Sequence, residues 1–307
     1  KQEATATEIQ TKNETVVWAP MSRDIAGFLR QMGTLDGMTN LSTSRNFEVL
    51  PSFTAVQSGA LDKATGEFST TGAKEGGVNL KYGLSSTLTL DFTFNPDFSQ
   101  IEADRQQIEV NQRFPIQYPE LRPFFLEGGD IFRIQGPVLM VHTRTIVDPR
   151  FGAKLTGKVG KTTLGFMVAN DEAPGKVTDA ADPLFTKTAK IGMARVKYDY
   201  RPESHVGALF TDRELLDGHS RLLAFDWQLR IGQNYRLSSM GAFSDHRTTA
   251  GVQNPRGHVF DVVFRRESRN LGYLIAHHEE HPEFRSDTGF IRRVDQKATI
   301  TNVSYRW

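Results

Sequence analysis

Residues 223–231 read Leu-Ala-Phe-Asp-Trp-Gln-Leu-Arg-Ile. Leu223, Phe225, Trp227, Leu229 and Ile231 alternate with Ala224, Asp226, Gln228 and Arg230. A repeat of two places the two sets on opposite faces of an extended strand, one apolar and one largely polar. The same repeat recurs in Leu88, Leu90, Phe92 and Phe94 against Thr87, Thr89, Asp91 and Thr93. It recurs again in Ala153, Leu155 and Val159 against Lys154, Thr156 and Lys158, and in Phe260, Val262 and Phe264 against Asp261, Val263 and Arg265. A helical period of 3.6 fits none of them.

Working outward, the alternation predicts strands over 46–57, 77–83, 86–94, 152–160, 162–169, 188–199, 204–212, 220–231, 234–244, 258–267, 270–278 and 297–307. Short connections fall near 84–85, 161, 200–203, 232–233 and 268–269. Long ones fall at 58–76, 95–151, 170–187, 213–219, 245–257 and 279–296. Short–long alternation is the signature of an up-and-down antiparallel barrel with tight turns at one rim and long loops at the other. A soluble barrel of this girth would need a large apolar filling, whereas the second face of these strands carries Lys, Arg, Asp and Thr. Apolar faces turned to lipid and polar faces turned to a wet lumen satisfy the pattern. The reading is an all-β transmembrane barrel of at least twelve strands, lipid-facing at Leu88, Leu90, Phe92, Phe225, Trp227 and Leu229. Residues 1–45 form a lead-in, 46–307 the barrel, and 95–151 a segment inserted into it. The tight turns are expected in the periplasm and the long loops outside.

Composition permits this reading and excludes others. No apolar run approaches the ~20 residues of a spanning helix. Lys plus Arg number 37 against 36 Asp plus Glu, so there is no electrostatic case for nucleic acid. The absence of cysteine excludes disulfides, thiolate metal sites and a Cys nucleophile. Aromatics are abundant for so polar a chain, with 21 Phe, 7 Tyr and 3 Trp, as in membrane barrels. No basic region followed by an apolar stretch opens the sequence.

One order of motifs is more specific. Trp18-Ala19-Pro20-Met21-Ser22-Arg23 is followed by Gly77-Val78-Asn79-Leu80-Lys81-Tyr82-Gly83. Then come Asn95, Asp97, Gln100, Glu102 and Asp104, the run Arg122-Pro123-Phe124-Phe125-Leu126-Glu127-Gly128, and Asp148-Pro149-Arg150-Phe151-Gly152. From about residue 18 onward this resembles a bacterial outer-membrane barrel domain of unknown function, commonly found behind a family 9 carbohydrate-binding module. The resemblance implies a barrel in the bacterial outer membrane. No such module precedes Trp18, so its sugar recognition does not carry over. Relatives continue for more strands beyond a segment like Gly289-Phe290-Ile291-Arg292-Arg293, which implies a barrel that extends past Trp307. Against that, Thr301, Val303, Tyr305 and Trp307 end the chain on an alternating strand, so the strand number stays open.

Residues 95–151 hold many apolar anchors, among them Phe98, Ile108, Phe114, Phe124, Phe125 and Phe132, which argues against disorder. Between 95 and 150 lie eight carboxylates and six arginines without a lysine. Guanidinium groups fork carboxylates in a fixed plane, so this composition predicts buried pairing. Asp97, Glu102, Asp104, Arg105, Arg122 and Glu127 are expected inside or across the lumen, as a plug that narrows the passage or a cap that stiffens the wall.

Several patterns fall short of a chemical site. Gly152 to Lys158 spells a phosphate-loop spacing, but Val159 stands where Ser or Thr is needed. Asn95, Asp97 and Ser99 mimic the start of a calcium loop, which Gln100 and Gln106 then break. His278 and His281 are three apart, not the four of a zinc-protease helix; on a strand His277, Glu279 and His281 would share a face. No nucleophile elbow or triad is visible. No enzyme, metal or cofactor is expected. The expected function is diffusion or transport of small hydrophilic, carbohydrate-related solutes through an outer-membrane barrel narrowed by 95–151. The alternative is a non-conducting barrel that anchors an envelope partner. The expected partners are outer-membrane lipid and, in the alternative, that envelope protein.

Overall fold

Each of the twelve alternating stretches is a strand. The computed structural model describes residues 7–9, 14–16, 31–33, 37, 46–61, 66, 68–96 and 116–307. A small two-stranded sheet, β1 (Thr7–Ile9) and β2 (Glu14–Val16), stands apart. The other twelve strands form one sheet: β3 (Phe47–Leu61), β4 (Phe68–Ser85), β5 (Leu88–Phe94), β6 (Pro149–Val159), β7 (Thr162–Asp171), β8 (Ala189–Arg201), β9 (Ser204–Leu215), β10 (Gly218–Ile231), β11 (Tyr235–Arg247), β12 (Gly257–Arg266), β13 (Leu271–Glu280) and β14 (Gln296–Tyr305). Every strand pairs antiparallel with the next in sequence, the up-and-down order predicted. Among the described residues helix is confined to α1 (Pro123–Leu126) and a few 3-10 turns.

Three expectations need correction. Much of the region 58–76 is strand: β3 and β4 stay paired from Phe47↔Tyr82 to Leu61↔Phe68, while β5 meets β4 only from Val78 onward. The hairpin therefore projects past the sheet, and residues such as Ser, Gly and Thr carry backbone pairing there without an apolar face to reveal it. The region 213–219 is also strand, broken only by Leu216 and Asp217, with Gly218 opposite Leu215. Arg213, Glu214 and His219 hide the alternation, and Leu216 takes a left-handed φ of 53° to make the tight turn. Finally, the sheet is open rather than closed. Its order runs from β14 to β3 with no β3–β14 pairing among the described residues. Closure requires matched tilt and stagger at both edges, and β14 does not meet β3.

The two faces of the sheet differ sharply. Leu90, Leu155, Phe166, Ala194, Phe210, Leu223 and Phe243 are lateral neighbours across seven strands on the bare face. Phe166, Phe210, Leu223, Phe225 and Phe243 are exposed there. Of the six residues expected to face lipid, all lie on this face; Leu90, Phe92, Phe225 and Trp227 are exposed, and Leu88 and Leu229 are half-buried. From Leu223 to Ile231 the apolar side chains cover ~27 Å of strand at ~3.4 Å per residue. Beyond Leu223, Arg221 pairs with Asp212 at 3.3 Å and Glu214 at 3.0 Å, so a charged belt bounds the band at the long-loop end.

The opposite face is covered. Phe125, Phe132, Ile134, Met140 and Ile146 of the β5–β6 connection form one buried core with Met167, Ile191, Met193, Leu209, Leu222 and Met240 of the sheet. The close approach needs a gap in the wall: a Cβ on Gly165 would stand 2.8 Å from Ile131 and 3.1 Å from the Phe132 ring.

Candidate functional site

Residues 116–148 of the β5–β6 connection lie across the covered face and are fastened at both ends of α1. Arg122 stands at the position just before the turn and is 1% exposed. Its Nε and Nη2 donate to the two carboxylate oxygens of Glu120, each at 2.8 Å, a bidentate fork. Nη1 donates to the Ile146 carbonyl at 2.6 Å and Nη2 also to the Thr143 carbonyl at 2.8 Å. The guanidinium stacks over the Phe125 ring at 4.3 Å. Thr143 Oγ1 donates to Glu120 at 2.6 Å. One buried cation thus ties together three points of the segment.

At the other end of α1 a wall residue reaches in. Lys154 on β6, 1% exposed, donates its ammonium to the carbonyls of Phe124 and Glu127 and lies 3.5 Å from Asp91 on β5. A cation at the carbonyl end of a helical turn satisfies groups that the turn leaves unpaired. Asp171, at the end of β7, accepts the backbone N–H groups of Val147 and Asp148 at 3.1 and 2.8 Å. The β13–β14 connection folds over the same face. Phe284 is fully buried, Thr288 Oγ1 bonds Thr211 Oγ1 at 2.8 Å, and Leu139 bridges Phe290.

Burial alone would push the Glu120 carboxyl up, but the hydrogen bonds from Arg122 and Thr143 outweigh it and hold it below the ordinary 4.5. His142 is pushed down by burial. Because the folded value of Glu120 is depressed, its contribution is complete above pH 4.5 and is lost as pH falls through the lower folded value. The thermal midpoint for loss of the folded, fast-migrating form should therefore drop more steeply below pH 4.5 in the wild type than in Glu120→Gln. Parallel curves for the two proteins would contradict the assignment.

Not every residue expected in the charge network lies where the structure describes it. Asp97, Glu102, Asp104 and Arg105 lie outside the described residues. Arg122 sits on the covered face in a carboxylate fork, with Glu120 as partner. Glu127 does not pair with an arginine; it meets Lys81 at the margin of the sheet, where both side chains are exposed. Glu120, Lys154 and Asp171 were missed. Lys154 had been visible as a polar-phase residue of an alternating strand, but its partners lie 27 and 30 positions away and leave no local signal.

The wall carries a second fork. Arg195 on β8 donates from Nη1 and Nη2 to Asp226 on β10 at 2.6 and 2.9 Å, and His205 Nε2 lies 3.1 Å from the same carboxylate. The pair spans the intervening strand above Gly207, where a Cβ would come within 2.5 Å of the guanidinium. Among the described residues no group of His, Asp and Glu is arranged to hold a metal ion.

The fold and these fasteners define an all-β protein of twelve up-and-down antiparallel strands, one face bare and apolar, the other filled by an inserted segment. The family described as Domain of unknown function (DUF5916) matches residues 50–146, about a third of the chain. No curated protein matches. Among solved structures, outer-membrane expressed OmpT of Vibrio cholerae is 8% identical, covering 86% of this chain and 98% of that one, with a TM-score of 0.33. The in-vitro folded trimer form of OmpT from Vibrio cholerae is 6% identical over 85% and 97%, with a TM-score of 0.32. Similarity at that level bears on neither strand number nor function.

Proposed function

We propose that the chain is the wall of a bacterial outer-membrane barrel, with the β5–β6 connection seated in the lumen to restrict the passage of small hydrophilic solutes. The observation that carries this reading is the inverted polarity of the sheet. Its bare face presents Phe166, Phe210, Leu223, Phe225 and Phe243 to the surroundings, while Lys154, Arg195, Asp226 and Asp261 point to the covered side. Exposed aromatic and branched side chains over several strands are unfavourable in water at ~25 cal/mol per Å² and favourable in hydrocarbon. The tight turns would face the periplasm and the long connections the exterior.

The test places charge in the band. Phe225→Arg should destabilise the lipid-inserted protein by ~2–4 kcal/mol, the cost of an arginine near the bilayer midplane. Asp217→Arg, in the turn beyond the charged belt, should have no comparable effect. Folding into liposomes, followed by heat-modified electrophoretic migration across a urea series, measures both. Equal behaviour of the two variants would remove the membrane from the reading.

A second reading, a non-conducting barrel that anchors an envelope protein, draws support from the apolar core between segment and wall. A segment held by Phe125, Phe132, Met140 and Ile146 is built to stay seated. Conductance of the wild-type protein in planar bilayers separates the two.

A further inference from the structure

The bare face ends differently at its two rims. Five of the seven tyrosines lie at the tight-turn ends of strands: Tyr82 on β4, Tyr198 on β8, Tyr235 on β11, Tyr273 on β13 and Tyr305 on β14. Register sets them on the bare face, with Tyr82 opposite Leu90 and Tyr198 opposite Val206. Tyr198 and Tyr305 are exposed there. The long-loop ends of the same strands carry neither Tyr nor Trp. They carry the charged belt, whose Arg221 is matched by Asp212 and Glu214. Tyrosine favours a boundary where its ring lies in hydrocarbon and its hydroxyl stays wet.

One cation stands among these rings. Arg266 closes β12 on the bare face after Phe260, Val262 and Phe264, with Tyr235 and Tyr273 as its lateral neighbours. Phe264 stacks with Tyr235 at 6.2 Å and lies 5.7 Å from Tyr273, and the two tyrosine rings are 6.5 Å apart, so the three form one cluster. The guanidinium lies 5.7 Å from the centre of the Tyr235 ring. Its Nε donates to the Tyr235 hydroxyl at 3.3 Å, and Nη1 donates to Ser268 Oγ at 2.8 Å and to the Leu271 carbonyl. All three acceptors are neutral. Glu267, next in sequence, pairs with Arg265 at 3.3 Å. Among the described residues Arg266 therefore has no carboxylate partner, in contrast to Arg122, Arg195 and Arg221. A guanidinium held by neutral groups at the edge of an apolar face keeps its charge uncompensated, and an anion is the partner that satisfies it.

We propose that Arg266, held between Tyr235 and Tyr273, binds the phosphate of a glycerophospholipid headgroup and so fixes the tight-turn rim at the membrane interface. The proposal rests on the membrane-spanning reading above and gives one rim a lipid partner. Guanidinium and phosphate form charge-assisted hydrogen bonds, and the Tyr235 hydroxyl and Ser268 orient the donor before the lipid arrives. The rings beside it offer an apolar wall to the first carbons of the acyl chains. Arg221 at the other rim offers no such site, because two carboxylates already neutralise it.

The full chain folded into two kinds of vesicle with matched acyl chains provides the test: phosphatidylcholine, and digalactosyldiacylglycerol, which has no phosphate. In phosphatidylcholine, Arg266→Gln should lower the folded-to-unfolded ratio in urea roughly tenfold, the scale of one hydrogen bond to a charged group. In the galactolipid it should leave the ratio nearly unchanged. Arg266→Lys keeps the charge and should retain part of the phospholipid effect, and Arg221→Gln should act equally in both lipids. A second readout is native mass spectrometry after transfer from phosphatidylcholine into mild detergent. The wild type should carry bound phospholipid, and Arg266→Gln should carry less. An Arg266→Gln effect of equal size in both lipids, or equal retention of phospholipid, overturns the proposal and leaves the barrel reading standing. So does a wild type in galactolipid vesicles that inorganic phosphate raises to its stability in phosphatidylcholine, because the site would then serve free phosphate. A wild type that inserts into neither vesicle overturns the membrane reading itself, and the lipid site with it.

Discussion

Arg122→Ala should lower the stability of the folded protein by ~3–5 kcal/mol, the range for removing one partner of a buried ion pair. The size follows from what the guanidinium leaves behind. Glu120, its side chain 13% exposed, keeps a charge without its partner, and the carbonyls of Ile146 and Thr143 lose their donor. Each unsatisfied buried polar group costs ~1–3 kcal/mol on its own. The twelve-stranded wall does not depend on these bonds, so the loss should appear as release of the segment. Urea or heat should abolish the fast-migrating form earlier, and liposome swelling should report faster entry of small hydrophilic solutes. A variant with wild-type midpoint and permeability would mean that the fork holds nothing in place.

Lys154→Ala should come close to it in size, and by a different route. Lys154 belongs to the wall, and its removal strands Asp91, which is 8% exposed, together with the Phe124 and Glu127 carbonyls. Arg122 stands immediately before α1, and Lys154 bonds the carbonyls of Phe124 within it and Glu127 just after it, so the two act on one turn of helix. Their effects should not add: once either is gone, the turn is already loose, and the double variant should fall short of the sum by ~0.5–3 kcal/mol. A double-mutant cycle on the urea midpoint measures that shortfall. Strict additivity would show that the segment is pinned at two independent points.

The strands were legible because a bare apolar face and a polar face write a period of two directly into the sequence. All twelve are there, and Leu223 to Ile231 shows why. Where the side chains did not alternate in polarity, as in Ser69–Gly76 or Arg213–Gly218, backbone pairing continued unannounced, because hydrogen bonding along a strand needs no particular side chain. The open edges were not legible, since closure depends on tilt and stagger and no residue pattern encodes them locally. Within the inserted segment, arginine without lysine pointed to forked pairing, and Arg122 with Glu120 has that form. The donor that holds the other end of α1 is a lysine from the wall, and that composition argument was blind to it. Asp226 and Asp261 read simply as polar-phase residues. Their neighbours depend on lateral register between strands, which pairs Asp261 with His278 across a loop of four residues and aligns both with Asp226 two strands away.

The bridge between Leu139 and Phe290 spans nearly half the chain, and Thr211 reaches Thr288 from 77 positions away. The connection that lies over the sheet is made early in synthesis, between the third and fourth strands of the large sheet, whereas the loop that locks it comes just before the last strand. Loop closure over such distances is slow compared with the pairing of neighbouring hairpins. The order of assembly is therefore written into the connectivity: the hairpins form first, and the interior is fastened only when the final strand arrives.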